Sequence, residues 1–159
     1  MRILRRLLIG VATLAVTGSG IARAASGAPA QKPFSLTLSG PQEAVKVGQP
    51  VPMKITLTNI SGRELLIIGS RHPRGAEDDF QLCVRDAQGN LAAMKPREPS
   101  QGSQAGGSWA PGQSFTDKFD LGESFDLTKP GKYTVQLKRK DVKTGVEVES
   151  NTVTVTVAK

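Results

Sequence analysis

From Tyr133 to Lys138, apolar and polar side chains change places at every residue: Tyr133, Val135 and Leu137 alternate with Thr134, Gln136 and Lys138. A period of two puts one set on each face of a pleated strand, and no helix satisfies it. The pattern recurs at Phe34, Leu36 and Leu38, and again at Val51, Met53, Ile55 and Leu57. It returns in Phe80-Gln81-Leu82-Cys83-Val84-Arg85 and at Phe115, Phe119 and Leu121. Asp117 shares the apolar parity of that last run, which marks the strand as an edge or as bulged. Between the runs lies turn chemistry: Gly40-Pro41, Gly48-Gln49-Pro50, Asn59-Ile60-Ser61-Gly62 with a glycine able to take positive φ, and Asp86-Ala87-Gln88-Gly89-Asn90. Seven or eight short strands with no helical period predict an all-β fold, an antiparallel β-sandwich.

Finer expectations follow from the same pattern. Leu65-Leu66-Ile67-Ile68 reads as a short strand apolar on both faces, and Leu91 to Met94 as the return arm of a hairpin with Phe80–Arg85. Residues 95–113, rich in Gly, Ser, Pro and Gln, read as a long loop. If Lys140 opposes Gly145 across the loop Asp141–Thr144, Leu137 meets Val148 and Lys138 meets Glu147. The apolar parity then changes between Val146/Val148 and Val153/Val155/Val157, which predicts a β-bulge near Ser150-Asn151. Tyr133 directly follows the turn Lys129-Pro130-Gly131-Lys132. That placement matches the tyrosine corner of immunoglobulin-like sandwiches, in which the hydroxyl bonds to upstream backbone.

The first 24 residues obey a different rule. Arg2, Arg5 and Arg6 precede an uncharged, mostly apolar run from Leu7 to Thr17, and Ala22-Arg23-Ala24 follows with small residues at the cleavage spacing. Basic, then apolar, then small is the order of a secretory signal, cut between Ala24 and Ala25. The run is shorter than the roughly 20 residues that span a bilayer, so no membrane span is expected in the mature form. Arg5-Arg6 leaves the general and twin-arginine routes both open. Residues 25–33 read as a flexible lead-in and 34–158 as the domain. Arg2, Arg5, Arg6 and Arg23 leave with the signal, so 21 basic residues fall to 17 against 14 acidic ones, a net of +3 in place of +7. The nucleic-acid reading that a strongly basic chain invites is therefore set aside.

Chemistry is sparse. His72 is the single histidine and Cys83 the single cysteine, so a Ser-His-Asp relay would rest on His72 alone and a zinc site could not be completed without carboxylates. No Gly-x-Ser-x-Gly elbow and no phosphate-binding glycine loop is present. Glu77-Asp78-Asp79 lacks the spacing of a calcium loop and is preceded by Arg71 and Arg74. No enzyme activity, cofactor or metal is expected. Cys83 falls on the wet face with Gln81 and Arg85; it reads as a small hydrophobe in a strand, with a free thiol open to an intermolecular bridge as the alternative. Trp109, the single tryptophan, reads as a cap on the sandwich or as a binding anchor. Loop tips at Arg71, His72 and Arg74, and around Trp109, are the expected interaction surface.

The order of motifs carries a resemblance. Leu57-Thr58-Asn59 with its Ser-Gly turn, Phe80-x-Leu-x-Val-x-Asp86-x-x-Gly89, Ala110-Pro111-Gly112-Gln113-Ser114 and Pro130-Gly131-Lys132-Tyr133-Thr134-Val135 follow one another. This series resembles the bacterial Ig-like domains of the BsuPI intracellular proteinase inhibitor group and, more loosely, the CARDB-type modules. The resemblance implies an Ig-like sandwich and raises proteinase inhibition, without supplying an inhibitory residue. Taken together, the residues predict an exported, periplasmic or extracellular, non-enzymatic Ig-like domain that binds an envelope or extracellular protein or a glycan. Proteinase inhibitor is the alternative. Metal-dependent hydrolysis, resting on His72 with Glu77, Asp78 and Asp79, is the last.

Overall fold

The computed structural model describes residues 31–67, 80–96 and 107–159. Three strands, β1 (Phe34–Ser39), β3 (Pro52–Asn59) and β7 (Ser114–Asp120), form one antiparallel sheet in the order β1-β3-β7. The second sheet runs β2 (Val45–Lys46), β10 (Val153–Ala158), β8 (Gly131–Lys140) and β5 (Phe80–Arg85), with β9 (Glu147–Glu149) added to β8. β2 lies parallel to β10 and every other pairing is antiparallel. β4 (Leu65–Ile67) and β6 (Gly107–Trp109) form a separate two-stranded sheet. Apart from the β8–β9 hairpin, neighbouring strands in the two large sheets are not consecutive in the chain, as in an immunoglobulin-like sandwich. Alternate residues of the two sheets face each other across the core, where Ile55 and Leu57 from one sheet and Val135, Leu137 and Val155 from the other have no exposed surface. Burial of such side chains contributes about 1.5–3 kcal/mol each.

The predicted alternation holds closely in β1, β3, β5 and β8, whose even or odd residues are buried as their apolar character requires. The tyrosine corner is also present: Tyr133 Oη donates to the Lys129 carbonyl at 2.8 Å. So is the bulge. Glu149 lies opposite Lys138 and Val153 opposite Val135, so four steps along the returning chain match three along β8. Asp117 lies on an edge strand whose register with β3 is uninterrupted, which settles edge against bulge.

Six expectations are corrected. The described residues contain ten strands, since β2 and β6 are too short for alternation to reveal and the bulge divides the return strand into β9 and β10. Leu121 begins a one-turn helix, α1 (Leu121–Ser124), capped by the Asp120 carboxylate on the Gly122 N–H. The end of the 95–113 loop is strand β6, because Gly107 leaves room for the Trp109 ring that lies against it. The return arm after the Asp86–Asn90 turn shrinks to a single Arg85–Leu91 bridge with an Ala92-to-Val84 hydrogen bond. The β8–β9 register sits two residues from the expected one: Lys138 opposes Glu149 and Lys140 opposes Glu147. Asp141 closes that hairpin opposite Val146, because its carboxylate turns inward to accept from Thr144 N–H and Oγ. Gly62 does not take positive φ; Asn59 holds that corner instead.

Candidate functional site

The residues singled out from sequence divide three ways. Ala24, Ala25, Arg71, His72 and Arg74, with Glu77, Asp78 and Asp79, lie outside the described residues. Trp109 is described and does not stand on an exposed tip. Its ring packs edge-on to Phe115 at 5.6 Å and 78°, so it caps the core. Cys83 is half-buried on the outer face of the second sheet, opposite Gln136, as its parity required. Among the described residues no group of three or more His, Cys, Asp or Glu is placed to hold a metal, and no helix is long and apolar enough to cross a membrane.

One corner of the sandwich is tied with unusual care. Asn59, fully buried, donates from Nδ2 to the carbonyls of Arg63 (2.8 Å) and Trp109 (2.7 Å), and its Oδ1 accepts from Ser61 N–H and Oγ. Arg63 reaches on to the Asp141 carboxylate in an ion pair. Burial works against the charge on Asp141, but hydrogen bonds from Thr144 and the Arg63 guanidinium outweigh it and hold this carboxyl below the usual aspartate value. The β4–β6 sheet stands at this corner. Ile67 pairs with Gly107, so β4 ends where β6 begins. Leu66, next to that pair, is 52% exposed, a large apolar side chain left in water.

At the other end a groove of about 280 Å³ opens between the sheets. Its floor is the apolar edge of Val51, Phe125, Leu127 and Val157, and Lys46, Lys95 and Glu123 stand at its rim. Lys95 is committed there, donating from Nζ to the Gly122 carbonyl at 2.5 Å. Sequence reasoning missed two polar side chains that tie the fold together. Asn151, at the bulge, accepts from the Leu38 N–H (2.9 Å) and donates to the Leu38 carbonyl (2.8 Å), clasping the edge of β1 to the second sheet. Arg139 is buried with its guanidinium 4.2 Å over the Phe80 ring. The parity break at Ser150-Asn151 was the available signal for the first. The odd position of Arg139 in β8 was the signal for the second.

The outer faces of the two sheets differ in chemistry. On the second, Lys138 bridges Glu147 (3.3 Å) and Glu149, and Gln136 reaches Glu149 at 3.4 Å. The pairing raises the Lys138 pKa, chiefly through Glu149, and lowers that of Glu149. On the first, the register lines up three cross-strand rows: Ser35-Thr58-Ser114, Thr37-Thr56-Thr116 and Ser39-Lys54-Lys118. Hydroxyls bond across strands, Thr58 to Ser114 at 2.8 Å and Thr56 to Thr116 at 3.3 Å. Lys54 and Lys118 stand directly opposite one another.

No protein-family model matches the chain, and no curated protein does. Solved structures do. A CARDB domain from Pyrococcus furiosus, determined in complex with di-metal ions, is similar at 16% identity and a TM-score of 0.45, over 79% of this chain and 87% of that one. A β-glucosidase from Listeria innocua aligns with 79% of this chain at 18% identity and a TM-score of 0.45. A β-glucuronidase from Bacteroides uniformis aligns with 77% at 12% identity and a TM-score of 0.42. This chain covers only 16% and 13% of the lengths of those two enzymes. These distant likenesses transfer no residue role. Strand order and the Tyr133 corner, read from the chain itself, make it an all-β immunoglobulin-like sandwich.

Proposed function

We propose that this chain is an exported, non-enzymatic Ig-like module that holds another macromolecule of the cell envelope or its surroundings. The observation that carries the reading is the Ile67–Gly107 register pair. It sets the end of β4 and the start of β6 side by side at one braced corner of a rigid frame, beside the exposed Leu66. Loops presented from a rigid sandwich are a common way to build a binding surface. Export rests on the Arg2-to-Ala24 signal pattern, and that compartment makes an envelope protein or glycan the partner.

The test is capture from the native envelope with immobilised mature protein, beside a Leu66→Lys/Arg71→Ala/Arg74→Ala variant of unchanged melting temperature. The reading expects a partner retained by the natural protein and lost by the variant. Equal capture by both would overturn this placement of the site. Turnover in a hydrolysis screen that vanishes in a His72→Ala variant would overturn the non-enzymatic reading. Stoichiometric inhibition of a proteinase would identify the partner as an enzyme and revive the inhibitor alternative.

A further inference from the structure

We infer that the outer face of the first sheet, β1-β3-β7, is a second binding surface, and that its ligand is an acidic polysaccharide. The inference rests on the reading of the chain as a binding module and names a partner class for it. Three strands in continuous register present rows of side chains that are hydroxyl-bearing or basic: Ser35, Thr58 and Ser114 in one, Thr37, Thr56 and Thr116 in the next. No apolar and no acidic side chain interrupts these three rows; the next row on this face is Pro52–Asp120, whose carboxylate is committed to the Val51 and Gly122 N–H groups. Strands lie about 4.8 Å apart and same-face residues about 6.8 Å apart along each strand, so the hydroxyls, two pairs of which bond each other, form a regular grid of donors and acceptors. Sugar hydroxyls have the same dual character.

The third row supplies the charge. Lys54 and Lys118 are exposed cross-strand partners, and neither is in an ion pair among the described residues. Like charges placed directly opposite on a sheet destabilise it. The second sheet shows how the same fold neutralises a lysine, with Glu147 and Glu149 flanking Lys138. On the first sheet that partner is missing from the three rows, and an anionic group bound between Lys54 and Lys118 would relieve the repulsion. A polymer bearing carboxylates and hydroxyls matches both halves of the grid. A neutral glycan would leave the lysines uncompensated, and a nucleic acid would use the lysines without needing the hydroxyl rows.

The experiment is affinity electrophoresis and titration calorimetry of the mature chain with polygalacturonate, with neutral dextran and single-stranded DNA as comparisons. The inference expects retardation by polygalacturonate alone, weakened by salt. It expects a loss on the order of tenfold in affinity in Lys54→Gln/Lys118→Gln, a change of about 1.4 kcal/mol. A smaller, several-fold loss is expected in Thr56→Val, which removes a hydroxyl and no charge. All three positions are on the sheet surface, and thermal melts verify that the variants fold. Absence of polygalacturonate binding, equal retardation by DNA, or a double variant that binds as the natural chain does would each overturn it. If polygalacturonate fails while envelope capture succeeds, the inference falls and the module reading stands; if both fail, both fall.

Discussion

The two large sheets share an interior and differ everywhere else. Sheet β1-β3-β7 is regular in pairing: one register runs through each pair of strands, polar residues enter the inner parity only at Asn59 and Asp117, and three of its outer rows are hydroxyls with two facing lysines. Sheet β2-β10-β8-β5 is interrupted by a bulge, turns Arg139, Ser150 and the Asp141 carboxylate inward, and covers part of its outside with an ion-paired lysine. The irregular sheet reaches beyond itself through side chains, from Asn151 to Leu38 of β1 and from Asp141 to Arg63 in the turn after β3. Irregularity here is how polar side chains reach across the sandwich. Regularity leaves an unbroken surface.

Several measurements break or sharpen this comparison. The interiors are equivalent, so Leu57→Ala and Leu137→Ala, both fully buried, should each cost about 2–5 kcal/mol in urea unfolding. A large difference between them would mean that the sheets do not share one core. Asn151→Ala removes both partners of the Leu38 backbone and should cost about 2–3 kcal/mol. Thr37→Ala, one residue away on the regular sheet, should stay within about 0.5 kcal/mol.

A pH series tests the buried carboxylate. Asp141 has a folded pKa below its unfolded value, so the stability it contributes is present above about 3.8 and lost as pH falls through the lower folded value. Asp141→Asn should therefore flatten part of the acid limb of the stability curve, whereas an unchanged limb would remove the Arg63–Asp141 tie. The smallest effects separate the outer faces. Lys138→Gln should destabilise at low salt and less at high salt, since it breaks pairs with Glu147 and Glu149. Lys118→Gln should do the reverse, because it removes a repulsion from Lys54.

Legibility in the sequence follows the same division. A half-buried strand writes its face into every second residue, so β1, β3, β5 and β8 were readable, as was the bulge, which announces itself by a change of parity. The Tyr133 corner was readable because a turn and a tyrosine fix it locally. Two-residue β2 and three-residue β6 carry too few positions for a period. The hairpin register failed because it depends on where the Asp141 side chain points, which alternation does not encode. The clasp of Asn151 on Leu38 joins residues 113 positions apart, so only the folded chain shows it. Of the candidate site residues, Cys83 and Trp109 were placed by parity and packing, and the 71–74 group lies outside the described residues.

The most direct test places a photo-reactive residue at one position per surface: Thr56 on the regular sheet, Leu66 beside the braced corner, and Gln136 on the ion-paired sheet. Irradiation in the native envelope should give protein adducts from Leu66, glycan adducts from Thr56, and little from Gln136. Adducts arising mainly from Gln136, or equally from all three, would contradict the account.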